Sequence, residues 1–245
     1  RSAQDRVAQL RANLERWRWM QFAPGARHVR VYIADFRLEA WNANGSVHEH
    51  KVIVGKRYRN TPSFAGKIQR IVFAPRWHVP RRLLVEDKLP MYQRDPGAFH
   101  RLGFELFDAD GEPVGEVDWN AYSADDFPYR LRQRPGAANA LGQVKILFPN
   151  EHAVYLHDTP TRDLFAKVRR DFSSGCIRVE DALGLSQWLL LDKPEWNRAK
   201  IDAVVAAGQE TTVQPSAPVP VYIVYLTVAY DAEHGVRFLD DLYGR

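Results

Sequence analysis

Apolar and polar positions change period several times along the chain, and each change marks an element. Between Asp5 and Met20, Val7, Leu10, Leu14 and Trp17 recur at three- and four-residue steps. That is the spacing of one helix face, and Pro24-Gly25 ends it. The period then falls to two. Val29, Val31 and Ile33 alternate with Arg30 and Tyr32, which predicts a strand. Asn44-Gly45 stands between this stretch and the run Val47 to Val54, a hairpin signal. Lys67 to Phe73 predicts a further strand. Strand character returns at Gln143 to Phe148 and Ala153 to His157. Helices follow over Val179 to Leu191, with Ala182, Leu183, Leu185, Trp188 and Leu189 facing the core, and over Trp196 to Ala207, ended by Gly208. A Pro-rich stretch, Pro215 to Pro220, leads into a last strand, Val221 to Ala229, with a short partner at Val236 to Leu239. Strands early and late, with helices grouped between, predict an α+β, mainly β domain rather than a βαβ series.

One stretch breaks this regularity. From Pro75 to about Gly136, prolines and charges become dense and apolar runs shorten. Arg81 to Lys88 predicts a helix stopped by Pro90. Phe104 to Phe107 and Val114 to Val117 predict a small hairpin about Asp110-Gly111. Aromatic residues are frequent, among them Trp77, Tyr92, Trp119 and Phe127. The stretch reads as an insertion that lies over something, because long excursions from compact domains tend to be functional lids. A plain surface excursion is the alternative.

Length and composition narrow the possibilities. The 245 residues make one large domain or two small ones, enough for a core without disulfides or metal. Hydrophobic residues at 45% and charged residues at 26% exclude a disordered chain. The net charge of +4 fits an anionic partner without demanding nucleic acid. The single cysteine excludes an intrachain disulfide and a four-cysteine zinc site. The longest apolar run, Val219 to Tyr230, is interrupted by Thr227 and falls short of the roughly 20 residues of a membrane helix. No signal peptide is visible, and the chain opens on Arg1 rather than Met, as a processed product or excised fragment would. His48-Glu49-His50 sets two histidines on one strand face, but no third ligand accompanies them. No Gly-rich phosphate loop or metalloprotease helix is present. Neither metal nor cofactor is expected.

The chemistry therefore centres on the cysteine. In Phe172-Ser173-Ser174-Gly175-Cys176-Ile177-Arg178-Val179-Glu180, small residues flank the sulfur and leave room for a carbonyl. Gly175 permits close backbone approach. The helix expected just after Arg178, together with Arg178 itself, favours a thiolate. His157 ends a strand nineteen residues before Cys176 and is the candidate base. Tyr155 shares its strand face at two-residue spacing. A lone cysteine is more often a small buried hydrophobe, but a polar, Gly-containing turn is a poor core segment. A papain-like protease places Cys before His and a Trp after the Cys. Here the order is reversed and Ile177 follows.

His157-Asp158-Thr159-Pro160, then Ser173-Ser174-Gly175-Cys176-Ile177-Arg178-Val179, resembles the catalytic signature of L,D-transpeptidases of the YkuD-like fold, and more closely the YcbB-like subgroup. The likeness extends along nearly the whole chain. It includes Asn13 to Trp19, Val52 to Gly55, Thr61-Pro62-Ser63-Phe64, Trp77-His78-Val79-Pro80, Phe127 to Gln133, Ala138 to Gly142, Lys145 to Asn150, and Pro218 to Tyr225 through to Arg245. The resemblance implies a β-sandwich with flanking helices over 25–245, a capping subdomain inserted at about 75–136, and an N-terminal helix and linker over 1–24. It implies an enzyme that cuts the bond between residue 3 and the D-Ala at residue 4 of a peptidoglycan stem and joins the acyl group to another stem's side-chain amine, giving a 3→3 cross-link. Cys176 is then the nucleophile and His157 the base. Backbone N–H groups of Gly175 and Cys176 are the expected oxyanion hole, and Arg178, Tyr155, Ser173, Ser174 and Trp77 are expected to line the substrate site, with a salt bridge bracing the turn as the alternative for Arg178 and a core position as that for Trp77. Donor and acceptor stems are the implied partners. The implied setting is the periplasm, as a monomer, with the parent anchored in the inner membrane.

Two departures bear on mechanism. Ser174 stands where many members carry His, leaving His157 as the base. Asp158 stands where many carry Gly, so either its carboxylate or a nearby backbone carbonyl orients the imidazole. Carboxypeptidase or endopeptidase action, attachment of a lipoprotein to the wall, and a non-catalytic wall-binding module remain the alternatives on this scaffold.

Overall fold

The computed structural model describes residues 2–19, 27–231, 233 and 235–245. Helix α1 (Ala3–Trp19) precedes β1 (His28–Tyr32), β2 (Arg37–Trp41) and β3 (Val47–Gly55). β4 (Phe64–Ile68) and β5 (Arg70–Phe73) are separated by Gln69 alone. Then come β6 (Trp77–His78), α2 (Arg81–Leu83), a π-helical turn over Leu84–Lys88, α3 (Leu89–Arg94), α4 (Gly97–Arg101), β7 (Phe104–Phe107), β8 (Pro113–Val114) and β9 (Arg130–Gln133). The chain continues through β10 (Val144–Leu147), β11 (Leu156–His157), β12 (Asp171–Ser173), β13 (Ile177–Val179), α5 (Ala182–Leu189) and α6 (Arg198–Ala207). It closes with β14 (Thr211–Val213), β15 (Val219–Val224), β16 (Val228–Asp231) and β17 (Gly235–Phe238).

Eleven strands form one sheet in the order β14-β5-β10-β11-β13-β3-β2-β1-β15-β4, with β12 paired beside β3. Its halves are joined at two places. Val47–Lys51 of β3 pairs with β2, while Val52 and Ile53 pair with β13. Likewise β4 pairs with β15 and β5 with β10 across the break at Gln69. The sheet thus curls into two facing halves, a β-sandwich. One core fills the space between, with Val29, Val31 and Leu38 from one half and Ile71, Ile146, Leu156 and Ile177 from the other. Helix α5 seals it with Leu185 and Leu189.

The stretch that broke the sequence pattern builds a second sheet, β6-β9-β7-β8, over a core of its own. Tyr92 is fully enclosed there, and its ring centre lies 4.7 Å from that of Trp119, which stacks on Phe127 at 5.9 Å. The buried Asn139 side chain donates to the Pro75 and Arg134 carbonyls, both at 2.9 Å. These bonds tie the strand leading into this lobe to the segment leaving it.

Several sequence expectations change. The first strand and its hairpin partner are not contiguous. The chain turns at Phe36 (φ 51°), so β1–β2 and β2–β3 are two hairpins. Pro90 does not stop the helix at Lys88. It falls in the first turn of α3, where a missing N–H costs nothing, and the π turn absorbs the change of register. Val179 belongs to strand β13, so α5 begins at Ala182, capped by Asp181. The last predicted strand splits into β15 and β16. Pro24-Gly25 lies outside the described residues. No described helix is long and apolar enough to cross a membrane.

Helix α1 forms as its periodicity predicts, but its apolar stripe faces outward, with Leu14 57% exposed. The polar face docks instead. Asn13 accepts from the Thr227 N–H (2.7 Å) and donates to the Thr227 hydroxyl (2.9 Å), and Arg6 and Arg16 lie over the Phe238 and Tyr225 rings at 4.3 and 5.1 Å. Asn13→Ala leaves the buried Thr227 groups unpaired, so it should cost about 1–3 kcal/mol in a urea melt. Leu14→Ser should change stability by no more than about 0.5 kcal/mol. The reverse ranking would show that the apolar stripe docks the helix.

Candidate active site

The site follows from one strand pairing. β11 runs parallel to β13, with Leu156 opposite Ile177 and His157 opposite Arg178. Leu156 and Ile177 are fully buried in the sandwich core. Side chains alternate along strands, so Tyr155, His157, Cys176 and Arg178 all project from the other face. On the far side of β11, Lys145 of β10 stands opposite His157, and beyond β13 Ile53 stands opposite Arg178. The face is therefore a row of Lys145, His157, Arg178 and Ile53, with Tyr155 and Cys176 one step along. Tyr155 packs against the core of the second lobe, which covers this side.

His157 is buried. Its Nδ1 lies 2.5 Å from the backbone carbonyl of Asp158, which can only accept, so Nδ1 carries the proton and Nε2 keeps its lone pair. The carboxylate of Asp158 turns elsewhere. It accepts from the Gln143 N–H at 2.9 Å and from Arg162 at 2.7 Å. The carbonyl, not the carboxylate, orients the imidazole. Gly142 makes this possible, because a Cβ there would lie 2.3 Å from Asp158 Oδ2. Burial first, and the charge of Arg178 second, push the His157 pKa down to about 3. At neutral pH the ring is an uncharged base.

The Cys176 thiol moves the opposite way. Burial raises its pKa, and hydrogen bonds from the Tyr155 backbone and side chain, with the Arg178 charge, offset this only in part. The helix expected just after Arg178 contributes nothing, because Cys176 leads into a strand and α5 starts six residues later. At rest, Cys176 is thus a thiol and His157 a neutral imidazole. Sγ donates to the Ala153 carbonyl at 3.8 Å, and Ala153 itself takes a positive φ of 53°, a sparsely populated conformation for a non-glycine residue. A cleft of about 280 Å³ opens beside the thiol, lined by Asn60, Pro62, His152, Ala153, Val154, Ser174, Gly175 and Cys176. A larger cavity, about 570 Å³, lies behind Asp158 among Arg162, Glu180 and Arg198, and neither Cys176 nor His157 lines it.

Other expected residues fall in varied places. Gly175 has φ +117°, a conformation that only glycine adopts cheaply. Its N–H donates to Ser173 Oγ at 3.1 Å, and that hydroxyl donates in turn to the Cys176 carbonyl at 2.5 Å. Ser173 therefore braces the turn from inside. The Gly175 N–H, expected in the oxyanion hole, is already engaged, and of the expected pair the Cys176 N–H is left for that role. Ser174 is exposed and accepts from Arg59 at 3.0 Å. Trp77 is buried in the second lobe. Its indole N–H approaches the Tyr155 hydroxyl without a well-formed hydrogen bond, and Lys88 lies over its ring at 5.5 Å. Arg178 keeps a buried Nε without a partner, and burial lowers its pKa. Among the described residues no three His, Cys, Asp or Glu side chains gather where a metal could sit.

Sequence reasoning missed Arg59, Thr61 and Lys145. Arg59 bridges Ser174 to Asp87 (2.7 Å) and Glu86 (2.6 Å) of the π turn, and this pair holds its guanidinium firmly charged. Nothing local in the sequence signals that bridge. Thr61 lay within a segment noted only for its resemblance. Lys145 joins the site through register with β11, which is readable only after pairing.

Comparison with known proteins identifies relatives of the whole chain. The family model described as YkuD, L,D-transpeptidase catalytic domain, matches residues 26–221. A Haemophilus influenzae protein named "Putative L,D-transpeptidase" is 35% identical over 218 residues, covering 88% of this chain and 44% of that protein. The chain thus spans less than half the length of this relative. An L,D-transpeptidase from Mycobacterium smegmatis aligns over 81% of this chain and 58% of its own at 11% identity, TM-score 0.36. The LD transpeptidase LdtMt1 in complex with imipenem aligns over 81% and 59% at 13% identity, TM-score 0.35.

A neutral pair has a kinetic signature. Alkylation of Cys176 by iodoacetamide should accelerate with pH through pH 9 without a plateau near neutrality, because the thiol titrates above its ordinary range. A plateau reached below pH 7 would instead reveal a thiolate–imidazolium pair.

Proposed function

The chain belongs to the YkuD family of L,D-transpeptidase catalytic domains, and from that premise we propose that it is a cysteine acyltransferase acting on peptidoglycan stems, within the YcbB-like subgroup. The observation that carries the reading is the shared face of β11 and β13, where a carbonyl-oriented neutral His157 and Cys176 project together. The donor is a tetrapeptide stem. Nε2 of His157 takes the Cys176 proton as sulfur adds to the carbonyl carbon of residue 3. The Cys176 N–H stabilises the oxyanion. The carbon–nitrogen bond to D-Ala breaks, and His157 returns the proton to the departing amine. The acceptor's side-chain amine then attacks the thioester, passes a proton to His157, and releases the thiol with a 3→3 cross-link formed. Arg178, with its unpaired Nε, suits a stem carboxylate. The polymer lies in the cell envelope, and the periplasm is the proposed setting.

Disaccharide-tetrapeptide incubated with the protein should give cross-linked dimer and free D-Ala by mass spectrometry. Cys176→Ala should abolish both without lowering the melt. A carbapenem should add once, on Cys176, because its strained carbonyl presents the same target. An adduct on the Ala variant would place the reaction elsewhere. Tripeptide as the sole product would favour the carboxypeptidase reading.

The second lobe is proposed as a cap that keeps water from the thioester and favours the amine. Arg59 supports this, since it fastens Glu86 and Asp87 of the lobe to Ser174 beside the nucleophile. Removing both charges, with Glu86→Gln and Asp87→Asn, should lower the ratio of dimer to hydrolysed tripeptide severalfold while acylation holds. Equal losses in both rates would mean that the lobe binds donor or only stabilises the fold.

A further inference from the structure

The polar groups of the nucleophile turn are fixed one by one, and one bond among them reaches outside the turn. Thr61 is fully buried, and its hydroxyl donates to the Gly175 carbonyl at 2.8 Å while accepting from the Gly55 N–H at 2.9 Å. The Gly175 carbonyl and the Cys176 N–H belong to one trans peptide unit and point in opposite directions. Holding the carbonyl against the 59–61 backbone therefore aims the Cys176 N–H away from it. A Cβ at Gly175 would sit 3.7 Å from the Asn60 carbonyl, so the two segments are in close contact.

The support continues behind Thr61. Its N–H donates to the Tyr243 hydroxyl at 3.2 Å, and that hydroxyl donates to the Gly55 carbonyl at 2.8 Å. The Tyr243 N–H donates to the Tyr225 hydroxyl at 2.9 Å, which donates to Asp241 at 2.5 Å. The two tyrosine rings stack at 5.2 Å. The C-terminal segment thus backs the turn through a continuous chain of hydrogen bonds.

We propose that Thr61, braced by Tyr243, is a positioning residue that sets the Gly175–Cys176 peptide plane and so aims the Cys176 N–H at the oxyanion formed during acylation. The inference rests on the acyl-transfer reading above. It assigns Thr61 no contact with substrate.

Two reactions of the same sulfur separate aiming from general structure. Acylation by a carbapenem passes through an oxyanion, whereas displacement on iodoacetamide does not. Thr61→Val should slow carbapenem acylation roughly 10- to 100-fold, below the effect of deleting a donor outright. Iodoacetamide alkylation should stay within about twofold. Thr61→Ser, which keeps the hydroxyl, should restore acylation. Equal slowing of both reactions, or no slowing of acylation, overturns the proposal. If Thr61→Val does not fold, Tyr243→Phe provides the same comparison, since it keeps Thr61 and removes only the hydroxyl behind it. Selective loss of acylation supports the proposal, and any other pattern overturns it. A wild-type protein that carbapenem does not acylate at Cys176 defeats the acyl-transfer reading itself, whatever the Thr61 variants do.

Discussion

The parallel pairing of β11 with β13 is the constraint on which the site depends. Leu156 and Ile177 leave no choice of face, because turning either strand over would expose a fully buried aliphatic side chain and drive an arginine or histidine into the core. A one-residue slip would invert the whole set. Aliphatic burial therefore does the work of directing Tyr155, His157, Cys176 and Arg178 to a common side. The two strands are only two and three residues long, so the neighbours β10 and β3 must hold them in register.

A sheet face carrying Lys145, His157 and Arg178 in one row carries a considerable electrostatic burden. The protein meets it partly by leaving groups uncharged. His157 loses its proton to burial and to the Arg178 field, and the thiol keeps its own. Lys145 remains bonded to the Arg76 carbonyl with Glu210 nearby. Arg59 takes the opposite course and keeps its charge by gathering two carboxylates. Neutrality suits a base that must accept a proton, and fixed charge suits a fastening between lobes.

Much of this was legible in the chain because the signals were local. The turn around Cys176, the histidine at a strand end and the hairpin at Asn44-Gly45 are each marked within a few positions. The dense prolines and aromatics after Pro75 marked an insertion, and the structure gives that insertion a core of its own. What escaped was set by partners far along the chain. The outward stripe of α1 obeys helical period yet stays largely exposed, while Asn13 finds Thr227 more than two hundred residues away. The start of α5 was misplaced because Ile177 and Val179 fit a helix pattern as well as a short strand. The engagement of the Gly175 N–H depends on a Ser173 rotamer that no sequence pattern encodes.

The π-helical turn Leu84–Lys88 carries an evolutionary consequence. From one five-residue segment it delivers Glu86 and Asp87 outward to Arg59, and Lys88 inward over the Trp77 and Phe104 rings at 5.5 and 5.0 Å. Each residue of an ordinary helix advances about 100° around the axis. Deleting one residue here would restore regular winding and leave α3 in phase, but the turn would lose the residue that lets it reach both Arg59 and the aromatic core. Substitutions in this turn can accumulate singly, but its length cannot drift. Among homologous sequences the segment should vary in composition while resisting insertion and deletion, unlike the loops on either side.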